Sequence, residues 1–186
     1  LLINQFVYLE TPGATPLYAR VTEITGKSAV LKTLRDFTHG KNAVWGITAR
    51  NEILYSGNTE RGEPGTQLHL VDIATGTHRA LPVGQASDGA LSADGKTLYF
   101  TRNGLRGDNA RQYRGGALAR LWVMDLAGSA EAKPLVAEGA NDRRPMPYTD
   151  ASGSARVAFL SDRDGTFNVW SVKADGSDLR QHTRLK

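Results

Sequence analysis

Four copies of one sequence pattern, about 50 residues apart, constrain the fold of this chain more than any other feature. The third segment of each copy ends at a glycine, and these glycines are Gly26, Gly76, Gly128 and Gly176. The segments that end at these glycines read LYARVTEITG, QLHLVDIATG, RLWVMDLAG and NVWSVKADG. Short apolar runs closed by turn residues predict β-strands. A period near 50 residues with several strands per unit is typical of small sheets arranged radially.

The last copy, from Arg156 to Thr183, shows the pattern most clearly. Asp and Gly dominate its two turns, because Asp bonds to nearby backbone and Gly tolerates positive φ. Its predicted strands are Val157–Leu160, Phe167–Lys173 and Leu179–Thr183. The segment therefore predicts an antiparallel meander with tight hairpin turns.

The repeat predicts an all-β chain, a β-propeller of four-stranded antiparallel blades. About four blades are expected, at about residues 1–38, 39–84, 85–138 and 139–186. The first blade has no segment for its innermost strand and none follows Lys186, so we expect these blades to be part of a larger ring. No stretch keeps a period of 3.6 residues, which argues against helices. Trp122 and Trp170 occupy equivalent repeat positions and are predicted to lie in the core between blades.

Composition excludes several classes of partner. The 23 Lys and Arg exceed the 19 Asp and Glu by four, and the charges are interspersed. The sequence has no lysine-rich run with interleaved aromatics, which is the pattern that would indicate nucleic-acid binding. No apolar run reaches the ~20 residues of a membrane span. The chain has no cysteine, so disulfides and thiolate metal sites are excluded.

Catalytic and metal-binding patterns are also missing from the sequence. It contains no G-x-S-x-G turn, G-x-G-x-x-G run or phosphate loop. The four histidines are scattered without metal-ligand spacing. Asp162 and Asp164 lie in one turn and Asp175 in another, without the spacing of a metal loop, and they are predicted to stabilise those turns rather than to bind calcium. We therefore expect no catalytic residue, no metal and no cofactor in this chain.

The loop Asn103–Ala119 carries the candidate binding residues. It is the longest of the loops that join the second and third strands, and these loops share one end of an up-and-down blade. The candidates are Arg106, Arg111, Tyr113 and Arg114. Guanidinium groups grip carboxylates, so the loop is predicted to receive anionic groups such as a peptide C-terminus. The alternative is that Tyr113 packs on the blade and the arginines pair with neighbouring acids or with solvent. Gly115 and Gly116 are expected to let the chain turn back into the next strand.

These residues also carry a family resemblance. FLSDRDGTFNVWSVKADGSDLRQHT, YRGGALARLWVMDL from Tyr113 to Leu126, and Asn141-Asp142 ahead of Pro145 resemble the N-terminal propeller of tricorn-type serine peptidases. The resemblance covers about residues 43 to 186. The SDRDG and ADGS turns by themselves also occur in the TolB-like, WD40-like propellers of the periplasmic Tol system.

The resemblance implies a serine peptidase whose catalytic residues lie in a downstream domain outside this chain. The propeller would admit or dock peptides or unfolded polypeptide, beside the remaining domains of the same protein and in a possible homo-oligomer. The alternatives are a non-catalytic interaction propeller like that of the Tol system, and the substrate-gating propeller of a prolyl-oligopeptidase-type hydrolase. The resemblance implies a cytoplasmic location, with a periplasmic or secreted one as the alternative.

Overall fold

A computed structural model of the protein describes residues 6–9, 17–25, 28–33, 43–47, 52–57, 65–103, 112–128, 130–136 and 139–186. The described residues contain strands and turns but no helix. The chain divides into two compact units, Leu1–His39 and Gly40–Lys186.

The first unit contains a three-stranded antiparallel sheet. Its strands are β1 (Phe6–Leu9), β2 (Leu17–Thr25) and β3 (Ser28–Thr33), in the order β1-β2-β3. The register of β2 against β3 shifts between Val21 and Glu23.

The second unit contains three four-stranded antiparallel sheets, each formed by consecutive strands. The second sheet consists of β4 (Ala43–Ile47), β5 (Glu52–Gly57), β6 (Gln67–Asp72) and β7 (His78–Gln85). The third consists of β8 (Asp88–Leu91), β9 (Thr97–Arg102), β10 (Arg120–Asp125) and β11 (Lys133–Pro134). The fourth consists of β12 (Asp142–Thr149), β13 (Ala155–Ser161), β14 (Asn168–Lys173) and β15 (Arg180–Gln181). Four-stranded antiparallel sheets in succession confirm the predicted fold class, whereas the larger ring stays a prediction.

A cross-strand aromatic pair recurs at the centre of each sheet in this unit. Tyr55 lies directly opposite His69, Phe100 opposite Trp122, and Phe159 opposite Trp170. The Tyr55 and His69 rings stack with centroids 5.2 Å apart, and the Phe100 and Trp122 rings with centroids 6.5 Å apart. Directly opposed aromatic side chains stabilise antiparallel pairs. The repeat detected in the sequence is thus a repeat of packing.

Two apolar clusters fill the spaces between these sheets. The cluster between the second and third sheets contains Leu54, Leu68, Leu70, Leu81, Val83, Ala86, Leu98 and Phe100, with Trp122 packed against it. The cluster between the third and fourth sheets contains Tyr99, Leu121, Leu135, Val157, Phe159 and Val172, with Trp170 packed against it. Both tryptophans therefore lie where the sequence predicted.

The outer strands of the third and fourth sheets are short. β15 keeps two of the predicted residues 179–183, and β11 also has two residues. Pro134 has no N–H to donate, and Asp178 has a φ of 55°, which turns the chain just before β15. Single bonds from Leu135 N–H to Leu121 O and from His182 N–H to Val169 O continue the pairing beyond each strand.

Candidate functional site: the loop end of the third and fourth sheets

The described part of the long loop, residues 112–119, is bound to the turn that follows β13. The Gln112 N–H donates to Oδ2 of Asp162 at 2.6 Å, and its side-chain amide donates to the Gly165 carbonyl at 2.8 Å. Gln112 has a φ of 62°, a left-handed conformation that costs a non-glycine residue roughly 1–2 kcal/mol. Two bonds to the neighbouring sheet hold it there.

The Asp162 carboxylate is the centre of this contact. Its side chain is fully buried, and it accepts hydrogen bonds from the Asn141 N–H at 2.9 Å and from the Asn141 side-chain amide at 2.7 Å. Asn141 also donates to the Tyr113 carbonyl, and its own Oδ1 accepts from the Ala119 N–H. The Asp162 carboxylate thus joins the long loop, the start of β12 and the SDRDG turn.

Two opposed effects act on the Asp162 carboxyl. Burial raises its pKa, but hydrogen bonds from Asn141 and Gln112 and the charge of Arg114 outweigh burial and hold the pKa below its ordinary value. Asp162 is therefore ionised at neutral pH. The expectation that its side chain stabilises its own turn was wrong: only its carbonyl does so, by accepting the Gly165 N–H. By contrast, the Asp175 carboxylate does bond within its turn, to Ser177.

The four predicted binding residues separate into two pairs. Tyr113 is 43% exposed, and the Arg114 side chain is equally exposed while its Nη1 lies 3.2 Å from Oδ1 of Asp162. Arg106 and Arg111 lie outside the described residues. The pairing of Arg114 agrees with the alternative interpretation for that residue, whereas the binding role of the set stays a prediction.

Gly115 has a role that the sequence did not reveal. Its φ is not positive, and a Cβ placed on it would overlap the Tyr113 ring and hydroxyl. The Gly115 carbonyl accepts the Leu118 N–H at 3.1 Å, so the predicted turn is present. Gly115 therefore also makes room for the Tyr113 ring to lie over the backbone.

A second buried carboxylate, Asp142, lies next to Asn141. Burial raises its pKa, although the charge of Arg163 and hydrogen bonds from Ser161 and Arg163 oppose that effect. Nη2 of Arg163 reaches Oδ1 of Asp142 at 2.9 Å, and its guanidinium lies 5.1 Å from the Trp170 ring centroid. Sequence reasoning missed Asp142 and Arg163, because their 21-residue separation follows no local pattern.

A third carboxylate, Asp88, joins the third sheet to the fourth. Asp88 is 5% exposed, and its Oδ2 accepts the N–H of Arg144 at 2.9 Å. Arg144 has a φ of 56° and lies in the β-bulge of β12, between Arg143 and Met146. Burial raises the pKa of the Asp88 carboxyl more than its hydrogen bonds and the nearby arginines lower it.

The raised pKa of Asp88 predicts a pH-dependent cost. Because the folded pKa lies above the unfolded value near 4, the stabilisation from this group is complete below pH ~4 and is lost as the pH rises through the folded pKa. The melting temperature of wild type should therefore fall relative to that of Asp88→Asn as the pH rises from 4 to 7. Asn is the suitable reference because its side-chain oxygen still accepts the Arg144 N–H and does not titrate. Thermal melts across that range measure the difference.

Asp94 supplies the control of opposite sign. Its carboxylate is exposed, and hydrogen bonds from Ser92 and Lys96 lower its pKa. Wild type should gain stability relative to Asp94→Asn as the pH rises from 3 to 5. If the curves for Asp88→Asn and wild type run parallel, the Asp88 carboxylate is not the titrating group.

Among the described residues, no three His, Cys, Asp or Glu side chains converge to hold a metal ion. The same part of the chain includes no helix of the length and apolarity needed to cross a membrane.

The two sides of the Asp162 contact are the YRGG segment and the SDRDG turn. Residues 28–186, most of the chain, match the model of the family described as the tricorn protease N-terminal β-propeller domain. The chain belongs to this family. The residues that supported the resemblance in the sequence are thus in contact with one another in the tricorn-type propeller.

Individual relatives agree with the family. A tricorn protease homolog of Saccharolobus solfataricus is 31% identical over 120 residues, which are 64% of this chain and 10% of that protein. The crystal structure of the tricorn protease superposes with a TM-score of 0.68 at 22% identity, over 92% of this chain and 16% of that one. TolB from Acinetobacter baumannii gives a TM-score of 0.60 at 18% identity, over 96% of this chain and 41% of that one. Both structures show the shared fold, and this chain spans about a tenth of the Saccharolobus relative.

Proposed function

We propose that this chain is the propeller domain of a tricorn-like serine peptidase and that it admits or docks peptide substrates for a catalytic domain elsewhere in the same protein. The family assignment supports this function over the Tol-like and prolyl-oligopeptidase-type alternatives. Catalysis itself would belong to that other domain, because the sequence offers no nucleophile with its base and oxyanion donors.

The observation that carries the proposal is the anchoring of the long loop by Asp162. A buried carboxylate with two backbone and two side-chain donors fixes residues 112–119 to the fourth sheet. A loop fixed in this way presents the half-exposed Tyr113 ring and Arg114 guanidinium at a constant position, without an ordering cost when a peptide binds.

Arg106 and Arg111 are the proposed contacts with the peptide carboxylate. Arg114 already forms an ion pair with Asp162, so its charge is partly neutralised. Arg106 and Arg111 belong to the same loop in the sequence, and they supply the two other guanidinium groups of the predicted set. A guanidinium–carboxylate hydrogen bond is worth roughly 1.5–3 kcal/mol.

The test uses the complete peptidase that carries this chain. Arg106→Gln with Arg111→Gln should weaken competition by peptides with a free C-terminus about tenfold, and the same peptides with amidated ends should be unaffected. Arg120→Gln is the matched control, since Arg120 is an exposed arginine at the start of β10, outside the loop. The measurement is KM or inhibition constant for each peptide pair.

Gly115→Ala tests Tyr113 separately. The added Cβ displaces the Tyr113 ring, which is the movable partner in that overlap. Weaker binding of both free and amidated peptides is expected, because an aromatic contact does not depend on the terminal charge. Unchanged constants in all these variants would contradict a role for this loop in substrate docking.

A further inference from the structure

The first strand of the fourth sheet, β12, has one open edge. It is hydrogen-bonded to β13 on one side, and β12 is the first strand in the order of its sheet. β12 lies next to β8, and β8 lies next to β4, so the first strands of the three sheets gather on one side. In a propeller this side faces the central channel. With eight residues, β12 is longer than β8 with four or β4 with five.

The pairing with β13 shows which N–H groups of β12 point away from its partner. The Asp150 N–H donates to the Ser154 carbonyl, which makes that opposed pair a hydrogen-bonded one. Bonded and non-bonded pairs alternate along antiparallel strands. Tyr148 and Met146 therefore bond to β13, and the position of Pro147, opposite Val157, faces the open edge.

Between residues 142 and 148, every position whose N–H would face that edge is either already bonded or is a proline. The Asp142 N–H donates to the Ala119 carbonyl at 2.8 Å, and the Arg144 N–H donates to Asp88. Pro145 in the bulge and Pro147 beyond it have no N–H. This stretch of the edge thus offers carbonyl oxygens but no free backbone donor.

A stretch of edge without donors is a poor template for another strand, even though the next outward-facing position, Thr149, keeps its N–H. An extended chain adds to a sheet by exchanging N–H and C=O bonds along the edge, and natural edge strands avoid this with prolines, bulges or short length. β8 is short, whereas β12 combines a bulge with two prolines. Along the same strand the exposed side chains are Arg144, Met146 (50% exposed), Tyr148 (38% exposed) and Thr149.

We propose that Pro145 and Pro147 prevent extended peptides from pairing with the inner edge of the fourth sheet, so that a peptide touches this strand through side chains alone. The inference rests on the proposed function, because it assigns the surface to peptides that the domain admits. A peptide held by backbone pairing would leave slowly whatever its sequence, whereas side-chain contacts with Met146 and Tyr148 are individually weak and reversible.

The test restores the missing donors in the 186-residue chain. The variants are Pro147→Val and the double variant Pro145→Val/Pro147→Val, and the probe is a fluorescein-labelled peptide of alternating Thr and Val with blocked ends. Fluorescence anisotropy should show that the double variant binds about tenfold more tightly than wild type and that Pro147→Val binds about threefold more tightly. Pro145 is buried, so the single variant at half-buried Pro147 keeps the test valid if the double variant does not fold.

Two controls identify backbone pairing as the cause. Ala155→Val, at an exposed position in the partner strand β13, raises strand propensity without adding a donor to the edge, and it should bind as wild type does. A twin peptide N-methylated on every backbone amide should show no gain with any variant. The proposal is overturned if wild type binds the unmethylated peptide as tightly as Pro147→Val does, or if the methylated twin shows the same gain.

This experiment and the test of the proposed function can fail separately. The affinity of the proline variants for the labelled peptide tests backbone pairing at the edge and needs no peptidase activity. Loss of discrimination between free and amidated peptides measures the loop arginines in the complete enzyme. Capture by the variants with no effect of the loop arginines would leave the edge inference standing and remove the docking role of the loop.

Discussion

Replacing Asp162 with Ala should lower the free energy of unfolding by about 3–5 kcal/mol, because each buried donor left without an acceptor costs about 1–3 kcal/mol. The substitution leaves the Asn141 amide and two backbone N–H groups without their acceptor. For a chain of this length, each kcal/mol corresponds to about 2–4 °C of melting temperature. Thermal melts should therefore show a loss of roughly 6–20 °C, and urea melts the corresponding fall in the free energy of unfolding.

The matched variants separate charge from hydrogen bonding at Asp162. Asp162→Asn keeps one acceptor oxygen and should cost less than Asp162→Ala. Arg114→Gln should cost about 1 kcal/mol or less, because the Arg114 side chain is 43% exposed and solvent screens its charge. If Arg114→Gln is as damaging as Asp162→Ala, the ion pair dominates the cluster and the backbone donors do not.

The pH dependence of this cluster has a definite sign. The folded pKa of Asp162 lies below its unfolded value, so its stabilisation is present above pH ~4 and is lost as the pH falls through the folded pKa. Wild type and Asp162→Asn should therefore converge in stability below pH 4. This trend is opposite to that expected for Asp88.

Replacing Gly176 with Ala is the second change with a large expected effect, about 3 kcal/mol of unfolding free energy. Gly176 has a φ of 90°, and a Cβ there would overlap the backbone carbonyl oxygen of Leu135, which directly follows β11 of the third sheet. A backbone atom cannot rotate away as a side chain can, so the sheets must shift. Left-handed strain contributes about 1–2 kcal/mol and the overlap a similar amount or more. Differential melts of the variant measure the sum.

Gly153 separates these two contributions. It has a φ of 82°, and a Cβ there would meet nothing within 4 Å. Gly153→Ala should therefore show the backbone strain alone, about 1 kcal/mol or slightly more. Asn tolerates left-handed φ better than Ala, so Gly153→Asn should recover most of that loss while Gly176→Asn should not. Equal losses at both glycines would show that Leu135 yields to the added carbon.

Much of the fold followed from the sequence because the relevant interactions are local. Alternating apolar residues and Asp-Gly turns are decided within about ten residues, and the ends predicted for β13 and β14 differ from the observed ones by at most two residues, whereas β15 is shorter than predicted. Equivalent repeat positions also placed Trp122 and Trp170 correctly between sheets. The candidate site was less predictable: the sequence identified the long loop but not the partner that anchors it.

The sequence by itself determined which segments are strands, where they turn and how often the pattern repeats, because hydrophobic period and turn chemistry act between near neighbours. Only the tertiary structure decided what Asp162, Asp88 and Gly176 do. Gln112 meets Asp162 across 50 residues and Arg144 meets Asp88 across 56, in each case between adjacent sheets. Such contacts depend on how the sheets pack face to face, and no local pattern carries that information.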